Sequence, residues 1–147
     1  MMDSRMEELL LREGRIVQMP VGRSMWPMLK NRRDMLVIEK ITFPIKVHDV
    51  VLYKRDSGKY VLHRVVKIKP NGYVIRGDNC TRNEYDITER HMLGVLRGFY
   101  KGERYIDCEK HMGYKAYVLF WRATYLPRTA VKGVYHCFRR LAAIIGK

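Results

Sequence analysis

Residues 50–76 read VVLYKRDSGKYVLHRVVKIKPNGYVIR, and this stretch decides the fold. Val, Leu, Ile and Tyr dominate three runs, separated by Asp56-Ser57-Gly58 and Pro70-Asn71-Gly72. β-Branched and aromatic residues suit a pleated, half-buried surface, and Gly-containing Asp/Asn clusters reverse the chain tightly. The stretch therefore predicts strands at 50–54, 59–68 and 73–75 in an antiparallel meander.

Working outward, residues 35–39 have the same β texture, as do 93–100 and 105–106 around Lys101-Gly102-Glu103. Upstream, Met6, Leu9 and Leu10 give residues 3–13 an amphipathic helical pattern that Gly14 ends, and a strand is expected at 15–19. Pro20, Gly22 and Pro27 then break the backbone into a turn that carries Ser24. About seven short strands with one helix predict a mainly β fold, a small coiled antiparallel barrel-like sheet.

From residue 111 the turn punctuation stops. Residues 114–125 and 128–145 read as helices divided at Pro127. In the second, Val131, Val134, Tyr135, Phe138, Leu141, Ala142 and Ile145 recur at three- and four-residue steps, with Arg128, Lys132, His136, Arg139 and Arg140 mostly off that stripe. The expected organisation is a β domain over 1–109 and a basic amphipathic helical tail over 110–147.

Composition sharpens that division. The 147 residues are 47% apolar, enough for a core, which excludes a disordered polyelectrolyte. The net charge is +14, from 29 Lys and Arg against 15 Asp and Glu. No acidic residue follows Glu109, whereas eight basic ones do, ending at Lys147. A tail of this kind suits an anionic membrane interface; the plain alternative is an apolar stripe packed on the β domain with its charges solvated. No nucleic-acid-binding motif accompanies the charge, so nucleic acid is not an expected partner. Cys80, Cys108 and Cys137 lack metal-ligand or disulfide-framework spacing, so free thiols, no metal and no cofactor are expected. The charged N-terminal residues do not form a signal peptide, and no run of about eighteen apolar residues occurs. A cytoplasmic chain is expected, peripheral at the inner membrane face if the tail binds lipid. The sequence carries no signal for oligomeric state.

The sharpest local feature is Val21-Gly22-Arg23-Ser24-Met25-Trp26-Pro27-Met28-Leu29. A serine held in such a turn becomes a nucleophile only when a base takes its proton. His63 offers that base: the alternation Val61, His63, Val65 puts the imidazole on one sheet face with two β-branched residues, where burial keeps it neutral near pH 7. Asp78, in Arg76-Gly77-Asp78-Asn79, and Glu84 and Asp86 beyond it could supply a carboxylate to orient the imidazole. Asp78 could equally be a turn cap. Lys54 and Lys59 are alternative bases, though their places beside a turn suit a solvated face. Met25 is expected beneath the nucleophile, and Trp26 either lines a groove or packs in the core.

Five blocks, Gly22-x-Ser24-Met25-x-Pro27-x-Leu29, Asp49-Val50-Val51, His63-Arg64-Val65, Gly77-Asp78-Asn79 and Gly94-Val95, occur in the order found in the type I signal peptidase and LexA-like serine peptidase superfamily, which residues 15–107 resemble. That resemblance implies a coiled β fold with the serine at the edge of a peptide groove. Having His63 where a lysine is usual, the chain resembles the Ser-His branch of archaeal and endoplasmic-reticulum signal peptidases. The resemblance makes Ser24 the nucleophile and His63 the general base. Asp78 matches a functionally important acid, and Glu84 takes the place of a second acid, six residues on, that often orients the histidine; either could be the third member. Met25 and Trp26 become candidate substrate contacts.

The chain departs from the family in three ways. Gly22 stands where an oxyanion hydroxyl is common, leaving the Ser24 N–H as the identifiable donor. No N-terminal membrane anchor is expected from residues 1–18. The residues before the β region are too few for a helix-turn-helix, and no Ala-Gly self-cleavage pair occurs. The expected function is a serine endopeptidase that cleaves a leader or signal-like peptide, with small residues before the scissile bond. The alternatives are an inactive peptide-binding module of the same fold, or a LexA-like regulator without a DNA-binding domain.

Overall fold

Residues 50–53 are all buried, and their side chains alternate between two cores built on one strand. Val50 and Leu52 join a cluster with Leu36, Ile38, Leu62 and Leu96, while Val51 and Tyr53 join another with Val65, Ile75 and Met92. A strand sends successive side chains to opposite faces, so a sheet covered on both sides needs apolar residues at nearly every position. In this computed structural model, residues 4–42 and 44–145 are described, with side chains through residue 140. Residue 3, where the first helix was expected to start, and Lys147 lie outside that range, as do the side chains of Leu141, Ala142 and Ile145.

The elements are α1 (Ser4–Glu13), β1 (Arg15–Gln18), β2 (Met35–Lys40), β3 (Val50–Lys54), β4 (Tyr60–Lys69), β5 (Gly72–Arg76), β6 (Glu84–Ile87), β7 (Met92–Lys101), β8 (Arg104–Asp107), α2 (Met112–Ala123) and α3 (Tyr125–Ile145). The strands form one antiparallel sheet in the order β1-β2-β7-β3-β4-β5-β6, with β8 also on β7. Among the described residues no pairing joins β1 to β6, so the path is open at those two ends. α1 packs Met6 and Leu10 into the first core, and its Glu7 accepts hydrogen bonds from Lys54 Nζ at 2.9 Å and the Tyr60 hydroxyl at 2.5 Å.

Two details differ from the sequence reading. Residues 84–87 form a strand that the sequence did not announce: β6 is short and polar, and its pairing to β5, with Glu84 opposite Ile75, supplies what its own pattern lacks. The helical tail breaks at Thr124, and Pro127 sits inside the first turn of α3. Proline is tolerated there because a first-turn N–H has no intrahelical acceptor to lose.

Sheet and tail meet at one buried ion pair. Arg64 donates to both carboxylate oxygens of Asp78, at 2.8 and 2.7 Å, and neither side chain has solvent exposure. Arg64 also donates to the Tyr114 hydroxyl of α2 at 3.0 Å and to the His48 carbonyl at 2.9 Å. Tyr117 of α2 donates its hydroxyl to Asp78 at 2.9 Å, and Trp121 Nε1 donates to the Asp78 carbonyl at 3.0 Å. Removing one member of such a pair strands a charge in the interior. Asp78→Ala is expected to lower the unfolding free energy by about 3–5 kcal/mol in urea denaturation. A loss below about 1 kcal/mol would mean that water replaces the carboxylate.

Candidate active site

The Ser24 turn is held from below and from the side. Met25, Met28 and Leu29 are buried in the first core, and the Leu29 N–H bonds the Met25 carbonyl at 3.0 Å. From the side, the Asn79 N–H donates to the Ser24 carbonyl at 2.7 Å, and Asn79 Nδ2 donates to the Arg23 carbonyl at 3.1 Å. Asn79 follows Asp78, so the ion pair that fixes Asp78 also fixes the residue that clamps the turn.

His63 reaches the same place from β4. Its ring is buried, on the sheet face of Tyr53 and Val65, as the alternation requires. Nδ1 lies 3.0 Å from Glu84 Oε1 and 3.2 Å from the Tyr53 hydroxyl. A carboxylate only accepts, so this contact favours the tautomer with the proton on Nδ1 and leaves Nε2 as the basic lone pair. Nε2 lies beside Gly77: a Cβ built there would be 2.9 Å from Nε2 and 2.7 Å from the Ser24 carbonyl oxygen, and His63 and Ser24 line one groove. Glycine at 77 is what lets the two chain segments close on one another. Among the described residues the Ser24 hydroxyl makes no hydrogen bond to His63. Hydrogen bonds of this type often close only around substrate.

The structure puts Glu84, not Asp78, against His63. Asp78 is occupied by Arg64 and Tyr117, whereas Glu84 accepts from Arg55 Nε at 2.8 Å and Arg55 Nη2 at 2.5 Å beside the imidazole. Burial works to raise the Glu84 pKa, but hydrogen bonds from Arg55 and Tyr53 prevail and hold the carboxyl below its ordinary value. Burial lowers the His63 pKa, and Glu84 offsets only part of that, so the imidazole is neutral at pH 7.

Ser24, Met25, Gly22, His63 and Cys80 line a groove of about 760 Å³ that continues past Arg55 and Lys59. Met25 is buried and lines this groove beside Ser24. Trp26 is not in the core: it is 51% exposed and lines a separate cavity of about 130 Å³ with Asn79, Phe120 and Trp121. Of the alternative bases, Lys54 is engaged by Glu7 outside the groove, while Lys59 lies at its rim. Asp86, with a positive φ of 63°, is exposed on β6.

Sequence reasoning left Tyr53, Arg55 and Asn79 without roles. Tyr53 was within reach, because closing the hairpin at 56–58 pairs Lys54 with Tyr60 and brings Tyr53 to the face of His63. Arg55 and Asn79 carried no such periodic signal. The chain matches no family model, no curated protein and no solved structure.

Two outcomes follow from this geometry. In a proton NMR titration, His63 is expected to titrate below the ordinary value of about 6.5, and lower still in Glu84→Gln, which removes the carboxylate that favours the imidazolium. A rise in the variant would contradict the assigned contact. Gly77→Ala is expected to wedge His63 from the Ser24 carbonyl, costing about 1–3 kcal/mol in chemical denaturation and shifting the His63 ring resonances.

Proposed function

We propose that the chain is a serine endopeptidase in which Ser24 is the nucleophile, His63 the general base and Glu84 the carboxylate that orients His63. The observation that carries this reading is the Glu84–His63 contact of 3.0 Å at Nδ1, in a groove that Ser24 and His63 both line. This is the order of groups that makes a serine hydroxyl reactive: orienting acid, neutral base, nucleophile. The coiled, barrel-like form of the sheet belongs to the same reading, which rests on the resemblance of residues 15–107 to signal peptidases.

A peptide segment lies extended in the groove over Met25. The Ser24 Oγ attacks the scissile carbonyl carbon as Nε2 of His63 takes the hydroxyl proton, and Glu84 stabilises the imidazolium formed. The Ser24 N–H donates to the developing oxyanion, and Gly22, lacking a hydroxyl, adds no side-chain donor. Nε2 then gives its proton to the leaving amine, the C–N bond breaks, and an acyl-enzyme remains on Ser24. Water attacks that ester as His63 takes its proton, the bond from the acyl carbon to Oγ breaks as His63 returns the proton to Ser24, and the acid product leaves. A leader or signal-like peptide with small residues before the cleaved bond is the substrate class that the resemblance suggests.

The second reading is a peptide-binding module with an idle serine, favoured by the unmade hydrogen bond between Ser24 and His63. Incubating the protein and its Ser24→Ala variant with a diverse peptide library, followed by mass spectrometry of new termini, separates the two. The peptidase reading expects cleavage that falls on the order of 10⁴-fold or more in the variant, together with a fluorophosphonate adduct on Ser24 that His63→Ala suppresses. Identical termini and no adduct, with peptide retained by both proteins, would establish the binding module instead.

A further inference from the structure

α3 is attached to the body by its polar side. Tyr125 donates its hydroxyl to the Thr81 carbonyl at 3.2 Å, Arg128 Nη1 donates to the Asp78 carbonyl at 3.1 Å, and Lys132 Nζ donates to the Asn79 carbonyl and Oδ1 at 2.5 and 2.7 Å. Residues 125, 128 and 132 share one side of the helix. Val131, Val134 and Phe138 cluster roughly 120° round from it at 3.6 residues per turn. They are 69%, 57% and 67% exposed, and every residue from 133 to 140 is exposed. An amphipathic surface helix ordinarily turns its apolar stripe to the core. Here the stripe faces out, and the alternative in which it packs on the β domain does not hold for these residues.

We infer that the outward face of α3 docks on an anionic lipid bilayer. Charge selects this occupant. Arg139 and Arg140 stand on the polar face of the same helix, roughly 105° and 150° round from the stripe, the arrangement of an interfacial helix, and all eight ionisable Lys, Arg, Asp and Glu residues after Glu109 are basic. A second copy of the chain would bring one basic tail against another, whereas anionic headgroups complement the tail's charge while the acyl region takes Val131, Val134 and Phe138. Among the described residues no helix is long and apolar enough to cross a membrane, so the helix lies along the surface. Trp26 and Phe120, both largely exposed, share a cavity with Arg128 and Lys132 on the attached side of the same helix. This inference stands apart from the peptidase reading, since lipid binding needs no reaction.

The test is flotation of the full chain with phosphatidylcholine vesicles, alone or mixed with phosphatidylglycerol. Co-flotation with the mixed vesicles, weak binding to phosphatidylcholine alone and release by salt are expected. Val134→Glu/Phe138→Glu is expected to weaken binding about ten-fold or more, and Arg139→Gln/Arg140→Gln about five-fold per charge. All four positions are exposed, and circular dichroism checks that the variants keep their fold. Failure to float with anionic vesicles overturns the inference, as does equal flotation of wild type and both variants. A dimer abolished by Val134→Glu/Phe138→Glu, without vesicle binding, would assign the face to a second copy.

Discussion

The buried pair Arg64–Asp78 is the constraint around which the rest is arranged. Two charges out of water are tolerated only when their remaining hydrogen-bonding capacity is met. Here the capacity is met by parts far apart in sequence: the His48 carbonyl, the Tyr114 and Tyr117 hydroxyls of α2, and, at the Asp78 backbone, Trp121 and Arg128. The first helix of the tail therefore completes the β body. Trp121 adds to this by lying against three guanidinium groups, those of Arg64, Arg76 and Arg128, 4.9–5.3 Å from its ring centre, a geometry favourable to cation–π attraction.

β4 separates structure from chemistry by parity. Arg64 goes to the face of the ion pair, and its neighbour His63 goes to the opposite face with Tyr53 and Val65. The two acids divide in the same way. Asp78 is committed to Arg64, and Glu84 is held by Arg55 at the imidazole. Glutamate is one methylene longer than aspartate, and β6 sets it two strands from β4, where that reach is used.

The tail joins two environments. Its polar side closes over the Asp78–Asn79 turn, and Asn79 in turn grips the carbonyls of Arg23 and Ser24. Its apolar side is left to whatever surface the chain meets. Lys132 and the Ser24 turn are thus joined through Asn79, by two contacts in series.

Much of this was legible in the residues. Apolar and aromatic runs between turn residues gave the strands, and period-two alternation the face of His63; Gly14 gave the end of α1; three- and four-residue spacing gave an amphipathic α3. These are local properties, written wherever a backbone period meets an apolar side chain. What tertiary structure decided was pairing at a distance: that Glu84 rather than Asp78 meets His63, that Trp26 leaves the groove, that β6 is a strand at all, and that the stripe of α3 faces outward. Each depends on contacts between residues far apart in the sequence. A sequence lists its acids and bases in order, but only the fold sets the distances over which they compete.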